Sequence, residues 1–330
     1  MGLINNLLSS DRVHFFSLAR YALIEALEIS GMTKKDYVLV PEYICKEVVE
    51  IIELSGVNIF FYRVNDDLTP AKSSDQWPKA KTVLVVNYFG FPQNLLPFQE
   101  YSKRVGATII EDNAHGFLSK DSNGKWLGMR TDIGIFSLRK TLCLSDGAAI
   151  VLNSDMYSFI NPQLSPMGHG FIVFIKAKCK IKKIPFVGVF LWKSIVFTMK
   201  IYRKIIFNIG IDEADYKYKT KIAHIKNPNK NLFKDLRALF DKEKYEIERR
   251  RDLYCRILLM AKRNKLKPIF NRIPSNVVPY CFPFRATEDA AALLSKDISS
   301  LGLKLFKWPD LPQNITDSNK YKNIWIVNFL

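Results

Sequence analysis

Short apolar runs alternate with amphipathic stretches along the first half of the chain, and this alternation is its strongest structural signal. Val13–Phe16 predicts an extended segment. Ser17-Leu18-Ala19-Arg20 then leads into YALIEALEIS, where Ala22, Leu23, Ala26 and Leu27 recur at helical spacing. Tyr37–Val40 predicts a strand stopped by Pro41, and Glu42–Gly56 an amphipathic helix closed by its glycine. Asn58–Val64 and Thr82–Tyr88 predict strands, the second running into the turn Phe89-Gly90-Phe91-Pro92 before a helix over Leu95–Val105. Three buried-strand runs follow: Ala107–Ile110, Ile133–Phe136 and Ala148–Leu152. Strands and helices alternating at this spacing predict an α/β fold with a mainly parallel sheet and right-handed crossovers.

Beyond residue 165 the pattern changes. Residues 171–207 carry lysine and arginine throughout, several aromatics and no acidic residue. The longest charge-free stretch there, Ile184–Trp192, falls well short of the ~20 apolar residues that span a bilayer. Two readings stay open: a peripheral contact with an anionic membrane, or a helical insert covering the sheet or a dimer interface. Residues 213–235 read as a polar connector, Leu236–Arg263 as a long helix of mixed charge, Val277–Phe284 as a strand, Glu288–Ser300 as a helix and Leu303–Trp308 as a closing strand. The expected organisation is a large α/β domain over 1–160, a basic apolar insert with connector over 161–235, and a small α+β domain over 236–330. The run Arg249-Arg250-Arg251 invites a nucleic-acid reading, but charge runs on helices are usually solvated faces, and no motif of a DNA or RNA reader accompanies it.

The candidate chemistry sits where the three buried runs end. Glu111-Asp112-Asn113-Ala114-His115 follows the first, Ser137-Leu138-Arg139-Lys140 follows the second, and Ser145-Asp146-Gly147 precedes the third. Ligands of open α/β sheets bind outside the carboxyl ends of the strands, so Asp112, His115, Ser137 and Lys140 are expected to converge on one crevice. A lysine amine, a carboxylate and a hydroxyl donor are what a pyridoxal phosphate site requires. Ala19 and Arg20, at a predicted helix start after Ser17, offer an anion site, although a plain Ser17 N-cap is the simpler local reading.

EDNAHG resembles the EDxAQ/H motif, and DIGIFSLRK followed by DGAAIVLN resembles the lysine-bearing segment and next strand, of the DegT/DnrJ/StrS-type sugar aminotransferases. The resemblance covers about residues 12–152, is absent over 165–235 and returns faintly over 245–312. It implies the aspartate aminotransferase fold of type I, with a mainly parallel seven-stranded sheet and a small α+β domain, and pyridoxal 5'-phosphate as cofactor. It further implies that Asp112 faces the pyridine nitrogen, His115 contacts the ring or its phenolic oxygen, and Ser137, Ala19 and Arg20 hold the phosphate, with Lys140 as the Schiff-base residue. The implied reaction moves an amino group from an amino-acid donor to a nucleotide-sugar, in a homodimer. The alternatives are a dehydratase of the same fold, whose known examples replace the lysine with histidine, and a silent member that binds a partner or membrane. The chain departs from the family at His115, where most members have Gln, at the Ser137–Lys140 turn, which is two residues shorter, and at Cys45, where an aromatic commonly stacks on the cofactor. The family also continues past the IWIVNFL end of this chain.

Composition and charge narrow the rest. At 330 residues and 48% apolar content the chain can bury a large core, which excludes global disorder. The five cysteines lack CxxC spacing, against a zinc site or disulfide scaffold. Neither GxGxxG nor GxxxxGK[ST] occurs. MGLINNLLSSDR lacks the features of a secretory leader, and Asn6 stands where a myristoylation signal needs Ser or Thr, so a cytoplasmic location is expected, with peripheral membrane contact through 171–207 as an option. The net charge of +17 suits an anionic partner, and a nucleotide-sugar qualifies without any nucleic acid.

Overall fold

The computed structural model describes residues 2–142, 144, 146–167, 194, 226–313, 315 and 321–329. Apart from Ser194, the 171–207 run lies outside them, as do Cys143 and Ser145. The described residues form two sheets. The larger has seven strands: β1 (Val13–Phe16), β2 (Tyr37–Pro41), β3 (Asn58–Tyr62), β4 (Thr82–Val86), β5 (Thr108–Asn113), β6 (Ile133–Ser137) and β7 (Ala148–Leu152). Their order is β1-β7-β6-β5-β4-β2-β3, and β7 runs antiparallel to both its neighbours while β6, β5, β4, β2 and β3 are mutually parallel. Every residue of β4, β6 and β7 is buried, as expected of a parallel sheet covered on both faces. The covering helices are α2 (Ala19–Ile29), α3 (Lys46–Leu54) and α4 (Leu96–Val105), after a short amino-terminal α1 (Leu3–Ser9) that the sequence reading did not anticipate.

Several boundaries differ from expectation for identifiable reasons. Pro41 closes β2 instead of stopping the chain before it, paired with Tyr62 on the parallel neighbour. The helix expected from Glu42 begins at Lys46, because Tyr43 and Ile44 are drawn into the core and Cys45 is still extended. Asp112 and Asn113 lie within β5, paired with Ile135 and Phe136, not in a loop beyond it. The expected connector ends early, since α5 (Leu232–Leu239) buries Leu232 and Leu236, and a 3-10 turn at Phe240–Lys242 separates it from α6 (Glu243–Arg263).

The smaller sheet holds β8 (Lys267–Pro268), β9 (Cys281–Arg285), β10 (Lys304–Lys307) and β11 (Ile324–Asn328) in the order β10-β11-β9-β8, all antiparallel, with α7 (Glu288–Ser299) between β9 and β10. β11, drawn from IWIVN near the chain end, is one of its two central strands and was not predicted. The stretch Val277–Tyr280 is not part of β9. It packs against the large sheet, where Ser119 Oγ bonds Val278 O at 3.1 Å and Tyr280 N–H donates to Phe89 O at 2.8 Å.

The arginine run on α6 is not a solvated face. Arg250 is fully buried, and all three arginines donate to backbone carbonyls: Arg249 to Phe329, Arg250 to Thr141, Pro279 and Tyr280, and Arg251 to Pro274 and Val277. No helix among the described residues is long and apolar enough to cross a membrane.

Candidate active site

A cavity of about 420 Å³ opens at the carboxyl ends of β4, β5 and β6, and Asp112 forms part of its floor. Asp112 sits in register between Val86 on β4 and Ile135 on β6, both of which also line the cavity. Successive strand residues face opposite sides of a sheet, so the adjacent Glu111 and Asp112 diverge. Glu111, with no exposed surface, accepts from Arg130 N–H at 3.1 Å, from Arg130 Nε at 2.8 Å and from Asn87 Nδ2 at 2.7 Å. Arg130 in turn donates to Asn87 Oδ1 at 2.9 Å, so this buried network fastens β5 to the end of β4 from behind. Asp112 accepts one backbone bond, from Ala114 N–H at 2.9 Å. Burial raises its carboxyl above the usual aspartate value, and nearby Lys140 and the Ala114 bond only partly oppose this.

Lys140 ends the 3-10 turn Leu138–Lys140 that follows β6. Its Nζ lies 3.2 Å from His115 Nε2. The other ring nitrogen, Nδ1, accepts Phe89 N–H at 3.4 Å. The roles in this contact follow from the protonation of the pair: with Nδ1 accepting Phe89 N–H the ring proton sits on Nε2, where a neutral Lys140 amine can accept it. Burial favours the neutral forms this bond needs. It holds His115 well below the ordinary histidine value, and holds the Lys140 amine below the lysine range, with Arg139 adding to the second effect and Cys45 and Asp112 opposing it. His115 is fixed by rings: Tyr280 stacks on it at 4.5 Å and 2°, and Trp308 meets it edge-on at 4.9 Å. The Cys45 thiol beside them is pushed up to about 12 by burial and stays protonated.

The opposite end of the cavity collects groups suited to an anion. Helix α2 begins at Ala19 after Leu18, with no side-chain cap, so Ser17 does not act as the expected N-cap, and Leu18, Ala19 and Arg20 at the helix start line the cavity. Arg20, Arg139 and Ser137 line the same space, and none of their side chains has a hydrogen bond or ion pair among the described residues. Gly147 ties this end to the lysine turn: its N–H donates to Ser17 O at 2.7 Å, and its carbonyl accepts Leu138 N–H at 3.0 Å. Its φ of 129° favours glycine, and an added Cβ would approach Leu232 Cδ1 to 2.9 Å.

The family model of the DegT/DnrJ/EryC1/StrS aminotransferase family matches residues 15–170, the segment that supplies these groups. Over this segment, a little under half of its length, the chain is similar to that family. A curated relative, GDP-perosamine synthase of Escherichia coli O157:H7, is 30% identical over 138 residues, or 40% of this chain, and the chain spans only 38% of that relative's length. Solved structures agree over nearly the whole chain at the level of fold. A DegT DnrJ EryC1 StrS aminotransferase from Brucella abortus superposes with a TM-score of 0.60 at 15% identity, covering 99% of this chain and 82% of the other. The GDP-4-keto-6-deoxy-D-mannose-3-dehydratase of E. coli, solved with hydrated PLP, gives 0.61 at 14% identity, covering 98% and 84%. The fold is thus that of the family's sugar aminotransferases, with the large mainly parallel sheet and a second small one.

Within that fold the chain brings Ala19, Arg20, Asp112, His115, Ser137 and Lys140 to one cavity. The ring of His115 has one face already on Tyr280, so it is not a free stacking surface. The cavity is also lined by Tyr43, Tyr88 and Trp308, which sequence reasoning did not single out. Tyr43 Oη donates to Trp308 O at 2.8 Å, and Tyr88 Oη to Tyr43 O at 2.7 Å. A signal existed for Tyr43, two residues before Cys45 in the segment where the family carries an aromatic. None existed for Trp308, which reaches the cavity only through the packing of the small sheet, or for Tyr280, which bears on it through the His115 ring.

Proposed function

We propose that the chain is a pyridoxal phosphate-dependent aminotransferase that moves an amino group from an amino-acid donor such as glutamate to a nucleotide-linked keto-sugar, in the cytoplasm, toward an aminosugar or surface polysaccharide. The observation that carries this reading is a buried lysine amine 3.2 Å from His115 Nε2, in the same cavity as a buried carboxylate and two arginines unpaired among the described residues. The donor set fits the cofactor. Asp112, a buried carboxylate with a single backbone donor, suits a protonated pyridine nitrogen. Ser137, Arg20 and the first amides of α2 suit the phosphate, and Lys140 suits the aldehyde carbon.

When bound, pyridoxal phosphate supplies a carbon that captures amines covalently and a ring that delocalises carbanion charge. Asp112 would hold the proton on the ring nitrogen, which suits the ring to that charge. Lys140 Nζ, whose proton affinity burial lowers, would be the group that moves the proton at the reacting carbon. His115 Nε2, 3.2 Å from Nζ, keeps the amine pointed into the cavity. Tyr43, Tyr88 and Trp308 exclude water from the proton's path. Retention of Lys140 favours transamination over the dehydration of the lysine-less relatives. The net charge of +17 gathers an anionic nucleotide-sugar.

The test is incubation with glutamate and GDP-4-keto-6-deoxymannose. The expected result is 2-oxoglutarate together with an aminated sugar nucleotide by mass. A protein that stays yellow with every amino acid offered, releasing no keto acid, contradicts the proposal.

A further inference from the structure

Arg250 is the fully buried member of its triplet, and its guanidinium spreads over a carboxylate and three carbonyls. Nε donates to Glu246 Oε1 at 2.6 Å, Nη1 to Tyr280 O at 2.9 Å and Pro279 O at 3.4 Å, and Nη2 to Thr141 O at 2.9 Å. Thr141 directly follows Lys140 and is itself buried; its N–H and that of Leu142 both return to Leu138 O, closing the turn that carries the lysine. Tyr280 is the residue whose ring stacks on His115, and the His115 ring bonds the Lys140 amine. One guanidinium therefore reaches the same amine by two routes, through the backbone of the lysine turn and through the Tyr280–His115 stack. Its neighbours use the same device on other segments. Arg249 holds Phe329 O at 3.0 Å, and Arg251 holds Pro274 O and Val277 O at 2.6 and 2.7 Å.

We propose that Arg250 is a positioning residue for Lys140, clamping the Leu138–Thr141 turn and Tyr280 to α6 and so setting the amine against His115 and Asp112. The proposal rests on the reading of Lys140 as the reactive amine. It makes α6, which belongs to the small-sheet half of the chain, a direct support of the large-sheet site. The geometry requires a fork, since donors must leave one group in three directions. Lysine keeps the charge but cannot supply it.

The test is the titration of the Lys140 amine in the full chain, by trace acetylation at a series of pH values and peptide mapping, after hydroxylamine has removed any bound aldehyde. The groups that face this amine are Asp112, Cys45, Glu47, Arg139, His115 and Tyr280, and none is altered by the substitutions used. Arg250→Lys is expected to raise the midpoint by about one pH unit toward that of an ordinary lysine, because the loosened turn admits water. Arg251→Lys breaks carbonyl bonds of the same kind elsewhere and is expected to leave the midpoint unchanged. Equal midpoints in the wild type and a folded Arg250→Lys overturn the proposal, however much stability is lost. If that variant does not fold, Glu246→Gln carries the test, since it weakens the hold on Nε and leaves the fork in place; a smaller rise supports the clamp and no rise overturns it. Uptake of pyridoxal phosphate is read separately by absorbance. A wild type that takes up none refutes the aminotransferase reading, while the acetylation comparison still decides whether Arg250 sets the amine.

Discussion

The wall that the large sheet gives to the cavity and the wall that faces it differ in how far apart their residues lie along the chain. Asp112, His115, Ser137 and Lys140 fall within one run of the sequence, each placed by the end of a strand. Trp308, Tyr280 and the Arg250 behind it come from separate segments of the small-sheet half, and reach the site by packing and carbonyl bonds. The first wall holds the groups that would do chemistry, and the second holds those groups still. Local sequence thus specifies reagents, and long-range packing specifies their aim.

Substitutions can break this division or sharpen it. The largest effect is expected on the first wall. Lys140→Ala should fold and lose transamination by several orders of magnitude in a keto-acid assay, because Lys140 is the lysine whose charge acts on Asp112, while Lys307, the other lysine lining the cavity, donates to Glu288 at 2.7 Å.

Asp112→Asn should come next, with a loss of about 10²–10⁴-fold and an opposite effect on stability. The folded chain holds the Asp112 carboxyl above its ordinary value, so any stability it contributes is present below the unfolded pKa and is lost as pH rises through the folded one. Above the unfolded pKa the buried carboxyl is a cost. Asn should therefore raise the Tm of the cofactor-free chain by roughly 2 °C there, with no gain in acid below the unfolded pKa. A calorimetric scan at both pH values reads this. A Tm lowered at neutral pH would mean that Lys140 and the Ala114 bond outweigh burial.

Behind the same wall, Arg130→Met leaves the buried Glu111 carboxylate without its cation and should cost about 3–5 kcal/mol in urea unfolding. On the facing wall, Trp308→Ala should act more mildly, raising the KM for the sugar about tenfold and leaving covalent capture at Lys140 intact. A loss of capture in Trp308→Ala would merge the two walls into one.

The same contrast explains what was legible in the sequence. The strands of the large sheet are continuous apolar runs between turn residues, and β6 and β7 fell within a residue of their expected bounds. β11 was missed because IWIVN stands near the chain end with no helix after it, and its partners β9 and β10 are known only once the sheet is assembled. Ser17 appeared to be a cap because local preference ranks serine first. Its carbonyl is instead engaged by Gly147, more than a hundred residues away. Arg250 could not be told from Arg249 or Arg251 by type or spacing. Its burial depends on Thr141 and Tyr280 arriving at one point from two other segments.

The central claim is that the amine of Lys140, and no other, is the group that captures pyridoxal phosphate. Arg139 cannot form the bond, since its guanidinium stays protonated. Lys120 and Lys125 lie near the Trp126 loop, where Lys120 rests over the indole ring at 4.1 Å and neither lines the cavity. The direct measurement is borohydride reduction of the loaded protein followed by peptide mapping. The account predicts loss of the yellow colour and a pyridoxyl group on the peptide containing Lys140. A label on Lys120 or Lys125 with none on Lys140 would contradict it.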